Sequence, residues 1–233
     1  MTNKYIGTEL SLFAHATNWK NYYASIISPY ISGRVLEVGA GIGMTTKSLY
    51  TDKCDRWVCL EPDVLLLENI ELLISKGELP NSCIPQLGTT KDMKNEIFDT
   101  IIYIDVLEHI KNHKEEIKDS LQCLQHGGKL VVLSPAHQWL YSTFDSEIGH
   151  YRRYSKKTLA SVIPNDYRCI KLIYIDSVGI FASIVNKLFL KKTKPSLKQI
   201  LTWDKFLIPL SIIIDKLIFF SIGKSVIGIW EKV

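Results

Sequence analysis

No C-x-x-C pair occurs in this chain, and its five cysteines (Cys54, Cys59, Cys83, Cys123, Cys169) are scattered. No cluster of cysteine and histidine has the spacing of a metal site. The cysteines therefore read as free thiols in a reducing compartment, and no metal is implied. Arginine is scarce: the 28 basic residues are nearly all lysine, the net charge is only +4, and no basic block is interleaved with aromatics. Nucleic acid is thus not an expected partner. The opening residues Met1-Thr2-Asn3-Lys4 lack the apolar run of a secretory signal, which points to the cytoplasm. There is no internal repeat, no low-complexity linker and no segment of low hydropathy and high charge. What remains is a chain of 233 residues, long enough for one well-buried α/β domain.

Against that plain background one stretch stands out. Arg34-Val35-Leu36-Glu37-Val38 is an apolar strand that runs into Gly39-Ala40-Gly41-Ile42-Gly43, and a helix-forming run follows from Met44 to Tyr50. Three glycines in five residues allow a tight turn and a close approach to a ligand. A strand, such a turn and a helix N-terminus form a nucleotide-type pocket at the carboxyl end of a parallel sheet. The dinucleotide pattern G-x-G-x-x-G puts its third glycine where this chain has Met44. Glu37 also sets a negative charge before the loop, which suits a cationic ligand better than a pyrophosphate.

The segment from Glu37 to Gly43 reads E-x-G-x-G-x-G and resembles the first motif of the class I S-adenosylmethionine-dependent methyltransferases. The run Asp105-Val106-Leu107-Glu108-His109-Ile110 resembles that family's fourth motif. The resemblance covers about residues 30–176 and the last strand. It implies S-adenosylmethionine as cofactor, held by Glu37, Gly39, Ala40, Gly41, Gly43, Glu61, Pro62, Thr89, Thr90, Asp105 and Val106. Glu61 lies 18 residues after Gly43 at a strand end, where a carboxylate accepts hydrogen bonds from both ribose hydroxyls. Thr89 stands where many relatives have an aspartate at the adenine edge, so a backbone amide or Thr90 would take that contact.

The acceptor side is expected in the segment 134–155, dense in aromatics, histidines and charge. Its Gly149-His150-Tyr151-Arg152-Arg153-Tyr154-Ser155 run looks like that of methyltransferases linked to sugars and lipid-linked polysaccharides. Within that resemblance Tyr141, Asp145, His150 and Arg153 face the acceptor. Arg152 and Arg153 suit bidentate capture of a phosphate or carboxylate. The alternative reading is that they pair with Asp145 and Glu147 and only staple the loop. A hydroxyl acceptor needs a base, and His150, Asp145 and His109 are the candidates in that order. For His109 a purely structural role is the competing reading.

Strands alternating with helices predict a Rossmann-like, doubly wound, seven-stranded mixed sheet with helices on both faces. The strands are expected at 34–39, 57–61, 83–87, 98–104, 129–134, 168–175 and 225–231. The chain divides into an N-terminal helical lid (1–31), a cofactor-binding core (32–176), an apolar helical insert (177–223) and the last strand (224–233), all in a single domain. Asp63 and Ser155 are expected to cap helices. Within the insert, Phe206–Ile222 is apolar over 17 residues but carries Asp215 and Lys216. A membrane span needs about 20 apolar residues without such charges, so a transmembrane helix is rejected. Either the insert covers the sheet edge and acceptor pocket, or it lies in a membrane interface with Lys187, Lys191, Lys192 and Lys194 on anionic headgroups.

The expected function is methyl transfer to a small-molecule acceptor, phosphate-bearing or lipid-linked, most simply a sugar hydroxyl. The rival readings are a non-catalytic S-adenosylmethionine-binding scaffold that uses its insert for a partner or membrane, and a nicotinamide-dependent oxidoreductase, which Met44 and Glu37 disfavour.

Overall fold

Apolar runs buried on both faces make the centre of this protein a parallel sheet. Ile101-Ile102-Tyr103-Ile104 and Leu130-Val131-Val132-Leu133 are such runs, each residue at most 9% exposed. The computed structural model describes residues 9–185 and 195–233. Among them the strands are β1 (Gly33–Val38), β2 (Cys54–Glu61), β3 (Cys83–Leu87), β4 (Phe98–Ile104), β5 (Leu124–Pro135), β6 (Tyr167–Ile175) and β7 (Ser225–Lys232). Their order is β3-β2-β1-β4-β5-β7-β6. Only β7 runs antiparallel to its neighbours. The order reverses between β1 and β4, which opens a crevice at their carboxyl ends.

Helices cover both faces. One core joins α2 (Thr17–Ile27), α3 (Met44–Leu49) and α4 (Val64–Ser75) to the sheet through Trp19, Tyr23, Ile27, Leu49 and Ile70. The other joins α5 (His113–Gln122) and α7 (Lys156–Ala160) through Ile117, Leu121 and Leu159. Asp63 caps α4 by accepting from the Leu65 amide at 2.8 Å, and Ser155 caps α7 by accepting from the Thr158 amide at 3.1 Å. The short helices α1 (Glu9–Phe13) and α6 (Thr143–Glu147) complete this part of the chain.

Three elements differ from expectation. The N-terminal helix divides into α1 and α2. The fifth strand starts at Leu124 rather than Lys129, because Gly127-Gly128 forms a bulge inside it and not a turn before it. The pairing passes from Phe98–Leu124 to Thr100–Lys129, and Gly127 takes up the slack at φ +76°. The apolar run 206–222 is helical only to Leu217, after which Phe219 and Phe220 both turn to φ +53°.

The insert consists of α8 (Ser177–Val185), α9 (Leu197–Thr202), a π-helical turn (Trp203–Leu207) and α10 (Ile208–Leu217). Pro209 follows the π turn, whose wider hydrogen-bond spacing accommodates a residue with no N–H. Asp215 is fully buried and accepts from Tyr22 Oη (2.7 Å), the Asp176 amide (2.7 Å) and the Ser177 amide (3.0 Å). Asp204 accepts from the Trp19 amide at 2.8 Å and so sits at the positive N-terminus of α2. Asp215, one of the two charges that argue against a membrane span, therefore fastens the insert to α2 and to the end of β6. Lys187, Lys191, Lys192 and Lys194 lie outside the described residues.

Candidate active site

A cavity of about 1150 Å³ opens at the carboxyl edge of the sheet. Ligand sites typically measure about 300–1,000 Å³, so there is room for two ligands side by side. The parallel strands end at this edge, and β7 begins there.

The glycine loop forms one wall. Gly39 takes φ +69°, and a Cβ on it would stand 2.7 Å from the Val106 side chain. Ala40 and Gly41 line the cavity. Gly43 does not. It starts α3 at φ +78°, and a Cβ there would press on Leu73 and Ile70 of α4. Its role is helix packing, contrary to the expected cofactor contact.

Glu37 also departs from expectation. Its carboxyl is buried beneath the loop, accepting from Thr46 Oγ1 at 2.6 Å and Trp57 Nε1 at 2.8 Å. Burial pushes its pKa up to about 7, opposed by those two donors. It braces α3 from below and aims no charge at a ligand. The negative groups that do line the cavity are Glu61 and Asp105. Glu61 accepts from the Gly41 amide at 2.8 Å and the Asp63 amide at 3.0 Å, tying the end of β2 to the loop. Burial raises its pKa, and those two amides oppose the rise. Asp105 opens onto the cavity although protein surrounds it, and burial lifts it to about 6. It sits at φ +53°, a strained value for a residue with a Cβ.

Pro62, Thr89, Thr90 and Val106 also line the cavity. Thr89 Oγ1 is spent on Asp92 at 3.0 Å. The buried Thr90 hydroxyl donates to Glu116. Neither hydroxyl is turned to a ligand, which leaves the backbone for any contact there.

The opposite wall joins the loops after β4 and β5. The Ser142–Asp145 capping box fixes Asp145 at the start of α6, where Asp145 accepts from the Ser142 amide (2.9 Å) and Oγ (2.8 Å). Arg153 grips the same carboxylate through Nε (2.8 Å) and Nη2 (3.0 Å), and His150 Nδ1 lies 2.9 Å from it. Burial works against the ionised Asp145, yet His150, Arg153 and Ser142 together hold it below the usual carboxylate range. A carboxylate so fully engaged is a positioning residue, which removes Asp145 from the three candidate bases. The charge of Arg153 is met by Asp145, so the loop-stapling alternative describes it, although its side chain lines the cavity.

Tyr141 and Arg152 do not line the cavity. Tyr141 donates to the His150 carbonyl at 2.6 Å. Arg152 donates to the carbonyls of Ile110 (2.6 Å) and Lys111 (2.9 Å), stapling the two loops together. Both were expected to hold the acceptor, and both instead hold the wall. His109 and His150 do line the cavity, their rings edge-to-face with centroids 4.4 Å apart. Burial, with His150 adding to it, lowers His109 to about 3, so His109 is neutral at physiological pH.

The sequence reading missed Lys224, Asp176 and the inner face of the N-terminal helices. Leu10, Phe13, Lys20 and Tyr23 line the cavity from α1 and α2. Lys224 Nζ lies 4.8 Å from the Trp203 ring centroid, and burial lowers its pKa while Asp176 opposes the shift. The signal was present: Asp176 directly follows a parallel strand, and Lys224 directly precedes the antiparallel one. Both positions fall on the ligand-bearing edge.

The sheet order, the glycine loop at its switch point and the acidic end of β2 define a Rossmann-like nucleoside-binding fold with room for a second ligand beside the first. The family described as "Methyltransferase domain" matches residues 21–165, more than half of the chain, and the chain belongs to that family. It is an S-adenosylmethionine-dependent methyltransferase, and S-adenosylmethionine is its cofactor. A search of curated proteins gave no match. Among solved structures, a proposed methyltransferase of Bacillus halodurans C-125 is 14% identical with a TM-score of 0.61, over 91% of this chain and 98% of that one. Coclaurine N-methyltransferase bound to N-methylheliamine and SAH is 15% identical with a TM-score of 0.61, over 93% and 70%. The [4+2]-cyclase SpnF is 13% identical with a TM-score of 0.64, over 91% and 80%. Likeness at such identities concerns fold alone, and a cyclase among these structures is a reminder that fold does not fix chemistry.

Proposed function

We propose that this enzyme transfers a methyl group to a hydroxyl of a small molecule, a sugar or a lipid-linked saccharide. The observation that carries this reading is His150, held by Asp145 at 2.9 Å, in the same cavity as the glycine loop and Glu61. With Nδ1–H donated to Asp145, Nε2 keeps its lone pair and suits a hydroxyl proton.

The residues fit the cofactor. Gly39 and Gly41 leave bare backbone at the loop, and the Glu61 carboxylate can exchange its amide contacts for ribose hydroxyls. Ala40, Pro62 and the backbone at Thr89 and Thr90 would flank the adenosine, with Asp105 and Val106 toward the methionyl end. When bound, the cofactor supplies an activated methyl group on a positively charged sulfur. Asp105, ionised at neutral pH, favours that charge. The protein's own task is to bring the acceptor oxygen in line, take its proton and exclude water. The cover formed by α1, α2 and α9 supports the last of these, and in that sense the N-terminal helices act as a lid.

The lipid-linked form of the acceptor has separate support. Phe206, Leu210, Ile213 and Leu217 follow helical spacing on the outer side of the insert, and all are exposed, Leu217 at 71%. Lys198, Gln199 and Thr202 of the same insert line the cavity. This bare face would rest on a membrane surface and admit an acceptor from it. Among the described residues no helix is long and apolar enough to cross a membrane.

The test is incubation of a native-host extract with S-adenosylmethionine labelled in its methyl group. A labelled small molecule carrying an O-methyl group is expected; label on nitrogen or on a macromolecule would refute the acceptor assignment.

A further inference from the structure

Glu108 carries an oxygen with no visible purpose. The side chain is wholly buried, Oε2 accepts from Ser134 Oγ at 3.1 Å, and Oε1 has no hydrogen-bond partner. Buried polar atoms in this state are uncommon and call for a reason such as a bound ion. Oε1 lies 3.8 Å from His150 Nε2, too far for a hydrogen bond. The ring of His109 stands against that of His150 and gives one N–H to the Ile148 carbonyl. One ligand atom from each of Glu108, His109 and His150 lies within 4.8 Å of the other two.

We propose that Glu108, His109 and His150 hold a divalent cation of the zinc or manganese type on the acceptor wall of the cavity. Two imidazole nitrogens and one carboxylate oxygen form a donor set for such cations, and three protein ligands leave positions open to water or substrate. His150 is oriented through Nδ1 by Asp145, and the His109 ring is held by the Ile148 carbonyl, the kind of outer shell usual for a metal-binding histidine. The partnerless Glu108 oxygen is the third and independent sign. Around a four-coordinate ion, ligands at about 2.1 Å stand roughly 3.4 Å apart, so the longest separation in the cluster must shorten by up to about 1.4 Å, a movement shared among three side chains.

The cation's role, though not its binding, rests on the hydroxyl acceptor proposed above. The acceptor oxygen takes an open position, and the cation lowers the pKa of its hydroxyl as it does that of bound water. The proton passes to solvent water. The oxygen forms its bond to the methyl carbon as the carbon–sulfur bond breaks, and the electron pair of that bond stays on sulfur. In the loaded enzyme His150 is a ligand; the cation does the work its lone pair does alone in the metal-free protein.

The full chain, stripped by a chelator and dialysed, is titrated with manganese chloride by calorimetry and with cobalt chloride by visible absorption. One equivalent is expected to bind. Glu108→Gln and His150→Ala should each weaken binding by about tenfold or more. His126→Ala, an exposed histidine elsewhere, should leave it unchanged. Circular dichroism and retained S-adenosylhomocysteine binding report folding, with His109→Gln as the replacement for a variant that does not fold. No saturable binding, or equal binding in wild type and variants, overturns the site. Hydroxyl methylation that survives chelation undiminished overturns the cation's role and leaves the hydroxyl reading standing. Cation binding in an enzyme that methylates nitrogen keeps the site and removes that role.

Discussion

Glu61 holds the Gly41 and Asp63 amides, and in the cofactor reading it also meets the ribose. Glu61→Ala should therefore weaken S-adenosylhomocysteine binding by roughly 10–100-fold, the range set by about 1.5–3 kcal/mol for charged hydrogen bonds. Unchanged affinity in calorimetry would remove the ribose assignment. His150→Gln should lower kcat by about 10²-fold or more and leave cofactor affinity unaltered. Loss of both together would make His150 a scaffold residue. Glu37 gives a pH signature. Its folded pKa of about 7 stands above the ordinary value of 4.5, so its neutral form is the one the fold prefers. The sign follows: its contribution is fully present below pH 4.5 and is lost as pH rises through 7. The span amounts to roughly 3 kcal/mol at 1.36 kcal/mol per unit. Glu37→Gln should flatten the stability profile between pH 5 and 8, measured by urea unfolding, and a slope equal to that of wild type would contradict the assignment. At this scale the sequence identified residue types better than directions. Glu37 fits the family pattern letter for letter, yet its side chain turns under the loop. Arg152, Arg153 and Tyr141 stand in a charged, aromatic loop, yet the first and last spend their polar atoms on carbonyls and the second on Asp145. No spacing rule reveals which donor a neighbouring loop will claim.

Among the elements, the insert combines a fastened side and a bare one. Asp215 secures Tyr22 and two backbone amides at the end of β6. Asp215→Ala would leave those donors buried and unpaired, and a loss of about 3 kcal/mol or more in denaturant unfolding is expected. A loss under 1 kcal/mol would mean the contact is replaceable. On the bare side, Phe206→Ser with Leu217→Ser should abolish flotation with anionic vesicles while changing stability by less than about 1 kcal/mol. Flotation at the wild-type level would end the membrane reading. The strands were legible because period and length agree: β3 and β4 fall at the residues that their apolar runs mark. The bulge at Gly127-Gly128 was not, since a glycine pair signals a turn and a bulge alike. The split between α1 and α2 was hidden too, because Ala14-His15-Ala16 contains no breaker.

For the whole molecule, the Rossmann-like order follows from alternation and from the right-handed rule for parallel connections, so the fold was readable before any coordinate. The contents of the cavity were only half readable. Its wall is assembled from α1, α2, the insert and the start of β7, which meet through contacts such as Asp204 to Trp19 that span more than 180 residues of chain. Everything depends on what the crevice between β1 and β4 accepts. The decisive measurement is calorimetric titration of the folded wild-type chain with S-adenosylhomocysteine, beside NAD. Saturable binding of one equivalent of the first and none of the second is expected. Absence of heat with S-adenosylhomocysteine in protein shown to be folded would contradict the account at its root.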